Sequence, residues 1–105
     1  MTAETMQVVK GKIFKQLHER SGIFVAPNPW DVGSAKILAM LGFDALATTS
    51  AGLAYSLGKA DGEQAVTRAE ALKNAAEIAN ATMLPVTADL ENGYGEDPED
   101  CAKTI

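Results

Sequence analysis

Apolar residues recur at spacings of three and four near the start of the chain. Met6, Val9, Ile13 and Leu17 are separated mostly by charged or polar residues, and this period places them along one side of an α-helix. The Ser-Gly pair that follows is typical of a break between two elements. The pattern therefore predicts a first helix over residues 3–20.

Three further helices are predicted from the residues at their ends. One covers residues 31–42, with Asp31 or Ser34 as N-cap and a glycine at its C-terminal end. The next begins at Thr67, which is followed three residues later by a glutamate, the form of a capping box. The last begins at Pro98, because proline is favoured at the first helical position and acids follow it in the first turn.

Short apolar segments between these helices predict three β-strands, at residues 23–28, 43–50 and 84–90. The first and the last are continuous apolar runs, as in strands that are covered on both faces. Strands that alternate with helices form parallel sheets through right-handed crossovers. We expect an α/β fold of about three βα units behind a leading helix. Residues 50–64, rich in glycine and small side chains, are expected to form a loop.

Composition narrows the class of protein. The 105 residues, 47% of them hydrophobic, fit one small globular domain without a linker. No apolar run approaches the roughly 20 residues that cross a bilayer, and the N-terminus lacks the features of a secretory signal. A single cysteine excludes an internal disulfide. The net charge is -5 and the sequence has no stripe of basic residues, so we do not expect a nucleic-acid partner. We expect a cytoplasmic protein.

Two carboxylates follow the third predicted strand. Asp89 and Glu91 are separated by one residue, so in a strand both side chains would project from the same face. Two such oxygen donors suit Mg²⁺ or Mn²⁺, which commonly keep several waters and use one or two protein carboxylates. The glycines of the following Gly93-Tyr94-Gly95 segment would let the backbone approach a ligand. The alternative is that these acids are solvated loop residues.

The loop after the second predicted strand is another candidate. Ser50, Gly52 and Leu53 could offer backbone N–H groups to a carboxylate or phosphate. Asp61 lies eight residues beyond Leu53, in a segment of small residues that could fold over the site. On these residues alone, a turn without a ligand explains the pattern equally well.

Two long segments resemble the phosphoenolpyruvate mutase/isocitrate lyase superfamily. They are PNPWDVGSAKILAMLGFDALATTSAGLAYSLGKADG and LPVTADLENGYGEDPED, in the order and spacing of that superfamily, and the similarity extends from about residue 12. The form DLENGYG is most similar to the phosphonomutase-like branch. The resemblance implies a (β/α)₈ barrel that binds Mg²⁺ and acts on small 2-oxo or hydroxy carboxylates. The reaction would cleave or form a C–C or P–C bond through an enolate-like species.

The resemblance also implies roles for individual residues. Asp89 matches the acid that holds the metal, and Glu91 matches a second acid that usually acts through metal-bound water. Asp61 matches an acid near the metal and the substrate, which makes it the candidate catalytic residue. The candidate substrate-binding residues are Ser50, Gly52, Leu53, Gly93 and Tyr94.

Length sets this chain apart from such barrels, which need roughly 250 residues. The resemblance implies that 105 residues supply only the first three strands, and that the remaining catalytic groups would lie beyond Ile105. C–C lysis is the reaction we expect of the whole enzyme, with a carboxylate substrate and no membrane partner. An incomplete barrel would expose apolar surface, so we also expect self-association. The alternatives are a catalytically silent, self-associating fragment and a small flavodoxin-like α/β module whose carboxylates bind metal.

Overall fold

The computed structural model describes residues 2–105. Within this range, five helices and two short strands follow one another along the chain. In chain order they are α1 (Ala3–Glu19), α2 (Val32–Met40), β1 (Leu46–Ala47), α3 (Ser50–Ser56), α4 (Arg68–Ala81), β2 (Val86–Thr87) and α5 (Pro98–Thr104). The succession of helices and parallel strands confirms the expected α/β class, while the described residues form no closed barrel.

Four helices begin where their sequence signals predicted. The side chain of Asp31 accepts a hydrogen bond from Ser34 N–H, and the Ser34 hydroxyl oxygen accepts one from Asp31 N–H, so α2 starts with a complete capping box. Thr67 and Glu70 form the predicted capping box of α4. Pro98 is the first residue of α5, but the side chain of the N-cap residue, Asp97, makes no capping hydrogen bond. Local polar groups therefore fix the helix starts, as the sequence indicated.

The sheet has two parallel strands rather than the predicted three. Leu46 pairs with Val86, and Ala47 with Thr87. The predicted strand at residues 23–28 touches β1 through one backbone hydrogen bond, from Ala47 N–H to Pro27 O at 2.9 Å. Pro27 and Pro29 have no N–H to donate to a ladder. The side chain of Asn28 donates to Ala47 O instead, at 3.0 Å, so the segment lies beside β1 without becoming a strand.

The other two strands are shorter than predicted, and part of the expected loop is helical. The strand predicted over residues 43–50 is confined to β1, because Thr49 already serves as the N-cap of α3 and accepts a hydrogen bond from Gly52 N–H at 3.0 Å. Residues 50–56, expected to be loop, form α3. The strand predicted over residues 84–90 is reduced to β2.

Two groups of buried side chains hold these elements together. One lies between α2, α4 and the sheet and is built on Ala35, Leu46 and Ile78. The other lies between α3, α4 and the segment after β2, and its members are Leu53, Ala54, Val66, Ala71 and Tyr94, with Leu90 packed against them. The second cluster lies under the carboxyl ends of the strands, where the sequence predicted a site.

Several large apolar side chains remain at the surface. Ile23 is 89% exposed, Met40 86%, Leu41 69% and Met83 68%. Isolated exposed apolar residues are ordinary, but this many on so small a chain indicates surface that another element could cover. No helix within residues 2–105 is long and apolar enough to span a membrane.

Candidate functional site

Because β1 and β2 are parallel, both strands end at the same edge of the sheet. Thr48 follows β1, and its buried Oγ1 accepts a hydrogen bond from Asp89 N–H at 2.8 Å. Ser50 N–H points at the Asp89 carboxylate, with 3.4 Å between the nitrogen and Oδ2. Asp89 is thus tied to the end of β1 through both its backbone and its side chain.

Glu91 reaches the same region by a turn, not by strand alternation. The Asp89 Oδ1 atom accepts a hydrogen bond from Glu91 N–H at 3.0 Å, and Glu91 has a left-handed backbone with φ of 50°. The prediction that both side chains project from one face of a strand is therefore wrong, because β2 ends at Thr87. The direction of Glu91 is therefore set by a local turn at Asp89 and not by the alternation of side chains along a strand.

The Tyr94 ring joins the predicted acids into one group. Its side chain is only 8% exposed and packs in the second cluster. Burial raises the pKa of the Tyr94 phenol to about 12, with additional contributions from the negative charges of Glu91, Asp89 and Asp61. The negative charges of three acids that are up to 30 residues apart in the sequence therefore act on one phenol, which places them in one region of the structure.

Side chains from α4 and α5 form hydrogen bonds with the segment that contains Tyr94. Arg68 donates from Nη2 to Tyr94 O at 3.2 Å and from Nε to Thr104 Oγ1 at 2.8 Å. The Thr104 hydroxyl donates in turn to Gly93 O. Gly93 lies against α5 so closely that a Cβ there would come within 2.7 Å of Cys101 Sγ. Glycine is needed at this position for that close approach and for its φ of 85°.

The backbone N–H groups of Ser50, Gly52 and Leu53, which were predicted to bind an anion, already have partners within the chain. Gly52 N–H is bound to Thr49 Oγ1, and Leu53 N–H to Thr49 O at 3.1 Å, both inside the first turn of α3. The Leu53 side chain is buried in the same cluster as Tyr94. Only Ser50 N–H points at a carboxylate, that of Asp89.

A shallow cleft of about 480 Å³ opens beside the acids. Its lining residues are polar or acidic: Glu63, Gln64, Glu91, Asn92 and Glu96. Across residues 2–105, no three His, Cys, Asp or Glu side chains lie close enough together to enclose a metal ion. Mg²⁺ does not need such a cage, since it commonly binds one or two carboxylates and keeps several waters. The exposed carboxylates of Asp89 and Glu91 fit that mode of binding.

A family model described as phosphoenolpyruvate phosphomutase matches residues 14–105. The chain belongs to this family. Membership of the phosphoenolpyruvate mutase/isocitrate lyase superfamily, predicted from the two long segments, is thereby confirmed.

Three relatives of this phosphomutase-family chain are each longer than it is. The 2,3-dimethylmalate lyase of Eubacterium barkeri is 35% identical over 82 residues, which cover 77% of this chain and 28% of the relative. An uncharacterized protein of Mycobacterium tuberculosis is 40% identical over 92 residues, covering 88% and 35%. A crystal structure from Burkholderia cenocepacia, described as a lyase/mutase, superposes with a TM-score of 0.89 at 48% identity, covering 94% and 35%. The chain spans about a third of the length of these proteins.

Sequence reasoning missed three residues that build the site in this family member. Thr48, Arg68 and Thr104 contact the predicted residues or their loop. Thr48 lies within the first of the two segments that resemble the superfamily, but no local pattern gives any of the three a role in advance. The sole sequence signal was indirect: Gly93 and Gly95 indicated a loop in close contact with a neighbouring element.

Proposed function

We propose that this chain forms the first part of a (β/α)₈ barrel enzyme of the lyase or mutase type. Family membership and the likeness to longer lyase/mutase structures support the proposal. The parallel sheet supports it as well, because barrels of this kind place their sites at the carboxyl ends of parallel strands. The observation that carries it is Asp89, fixed at that edge by Thr48 and Ser50 with its carboxylate exposed.

In this proposal Asp89 and Glu91 hold a divalent cation, Mg²⁺ or Mn²⁺. When bound, such an ion supplies a Lewis acid that stabilises negative charge on a substrate oxygen. Asp89 is suited to hold it, because the hydrogen bonds from Ser50 and Glu91 orient both of its oxygens and leave each with free lone pairs. Glu91 is exposed at the cleft and would act through water.

The substrate in this proposal is a small 2-oxo or hydroxy carboxylate. Ser50, Gly52 and Leu53, in the first turn of α3, would line the side of the site that faces its carboxylate. Gly93 and Tyr94 would form the opposite wall, and the pKa of the Tyr94 phenol is raised to about 12, so its O–H stays protonated and can donate a hydrogen bond at neutral pH. Asp61 is the candidate acid or base for proton movement on the substrate.

C–C lysis is the reaction class that we favour. One relative is named as a lyase of 2,3-dimethylmalate, which is a hydroxy dicarboxylate of the expected size. Because the chain covers about a third of its relatives, further catalytic groups would come from the rest of a whole barrel. A cytoplasmic location and the absence of nucleic-acid and membrane partners stay predictions from composition.

The isolated chain is also proposed to self-associate. Ile23, Met40, Leu41 and Met83 are largely exposed, and burial of each such side chain is worth about 1.5–3 kcal/mol. This observation also favours a second candidate function, that of a silent, self-associating barrel fragment. Sedimentation over a range of concentrations tests the association: a stable monomer throughout would contradict both the association and the incomplete barrel.

Metal titration tests the proposed function. Mn²⁺ binding is measured by electron paramagnetic resonance for the wild-type chain, for Asp89→Asn and for the control Asp97→Asn. Asp97 is a suitable control because it is exposed and makes no cap hydrogen bond at the start of α5. We expect Asp89→Asn to weaken binding at least roughly tenfold and Asp97→Asn to leave it unchanged. Equal binding by all three proteins would overturn the assignment of Asp89.

A further inference from the structure

Arg68 is the first residue of α4, and its guanidinium connects three separate parts of the chain. Its Nη2 atom donates to Tyr94 O and to Asp100 O, each at 3.2 Å. Its Nε atom donates to Thr104 Oγ1 at 2.8 Å, and an Asp100 carboxylate oxygen lies 3.8 Å from Nη2. One planar side chain thus joins the start of α4 to the Tyr94 segment and to α5.

The segment that Arg68 holds has an unfavourable backbone. Glu91 and Tyr94 have φ values of 50° and 61°, and Gly93 has 85°. Residues other than glycine in this region cost roughly 1 kcal/mol each, and such conformations persist only where surrounding contacts fix them. Arg68 supplies such a contact at Tyr94 O, and Thr104 supplies one at Gly93 O.

We propose that Arg68 is a positioning residue of the candidate site: acting with Thr104, it fixes the turn from Glu91 to Tyr94. The Tyr94 ring and Glu91 are then held in one turn with Asp89, whose Oδ1 accepts a hydrogen bond from Glu91 N–H. The inference rests on the proposed function for its relevance to metal binding, but the contacts that carry it are independent of the metal. Arg68 touches the backbone of the segment, so its effect on the site passes through that backbone.

Arginine is required for this role by geometry. Its five N–H donors form a rigid, planar fork, so one residue reaches two carbonyl oxygens and a hydroxyl at once. A lysine has a single ammonium at the end of a flexible stem and cannot keep all of these bonds. Arg68→Lys should therefore restore part of the arrangement that Arg68→Met loses.

Fluorine NMR tests the inference directly. The chain has two tyrosines, so 3-fluorotyrosine labelling gives two ¹⁹F signals, from buried Tyr94 and exposed Tyr55. At neutral pH we expect Arg68→Met and Thr104→Val to move or broaden the Tyr94 signal and to leave the Tyr55 signal in place. Arg68→Lys should show a smaller change. The control Arg20→Met removes a surface ion pair with Asp44 and should change neither signal.

Measuring Mn²⁺ affinity together with helix content shows whether Arg68 only stabilises the fold or also positions the site. In Thr104→Val, circular dichroism should show unchanged helix content, while Mn²⁺ affinity falls roughly tenfold. Arg68→Lys should also keep its helix content and should lose less Mn²⁺ affinity. If Arg68→Met does not fold, these two variants decide the matter. An unchanged Tyr94 signal in the folded variants would overturn the inference. If the wild-type chain binds no Mn²⁺, the proposed function fails, whereas the Tyr94 signal still shows whether Arg68 fixes the turn.

Discussion

The backbone N–H of Asp89 donates a 2.8 Å hydrogen bond to Oγ1 of Thr48. The two residues lie 41 positions apart in the sequence and meet because β1 and β2 are parallel and end together. The Thr48 hydroxyl thus adds one hydrogen bond beyond the last paired residues of the two strands. This bond fixes the backbone of Asp89, the predicted metal ligand.

Thr48→Val should weaken both the fold and the site. Valine has nearly the same shape but leaves the Asp89 N–H without its partner, which costs about 1–3 kcal/mol of unfolding free energy where the group is buried. We expect urea unfolding to show a loss in this range and Mn²⁺ affinity to fall. Thr48→Ser keeps the hydroxyl and should bind Mn²⁺ like the wild type. If Thr48→Val binds Mn²⁺ as well as Thr48→Ser does, the hydrogen bond does not position Asp89.

Gly52→Ala should destabilise the chain through the cap of α3. A Cβ at this position would lie 2.6 Å from Thr49 Cγ2 and 3.2 Å from Trp30 Cβ. Thr49 would have to move and lose its bond to Gly52 N–H. We expect a loss of about 1–3 kcal/mol in urea unfolding.

Gly11→Ala is the matched control, because Gly11 lies within α1 and a Cβ there would meet nothing within 4 Å. This change should stabilise the chain by up to about 1 kcal/mol, since alanine is the better helix former. If both substitutions gave the same sign of change, close packing at Gly52 would not be the cause.

Tyr94 predicts how stability depends on alkaline pH. Its pKa is raised to about 12 in the folded chain, above the ordinary value of about 10. The contribution of the buried, neutral phenol is therefore fully present below about pH 10 and is lost as pH rises through 12. A two-unit shift corresponds to at most about 2.7 kcal/mol.

Urea unfolding between pH 9 and pH 11.5 measures this effect. The wild-type chain should lose unfolding free energy more steeply than Tyr94→Phe over that range, because phenylalanine has no proton to release. Parallel curves for the two proteins would show that Tyr94 titrates alike in the folded and unfolded chains.

The helices could be predicted because their signals are local. Asp31 with Ser34, and Thr67 with Glu70, lie three residues apart and fix a helix start by themselves. The strand at residues 23–28 was wrongly predicted from its apolar residues, because backbone donors decide strand pairing and Pro27 has none. Helix α3 was missed since its small residues are typical of loops, and its cap Thr49 lay within a predicted strand.

The candidate acids could be named from sequence, but their supports could not. Asp89 lies in a recognisable segment, whereas Thr48 and Arg68 act through contacts across 41 and 26 residues of chain. Such pairs depend on how the strands and helices pack, which no local pattern encodes. The turn at Glu91 was also hidden, because the apolar pattern predicted a strand through residue 90, whereas β2 ends at Thr87.

Crystals of the chain grown with Mn²⁺ test the central claim most directly, since the ion is located by its anomalous scattering. We predict one strong peak at about 2.1–2.2 Å from a carboxylate oxygen of Asp89, with Glu91 beside it and water in the remaining positions. A peak confined to the cleft between Glu63 and Glu96, or no ordered Mn²⁺ near Asp89 at saturating concentration, would contradict the assignment.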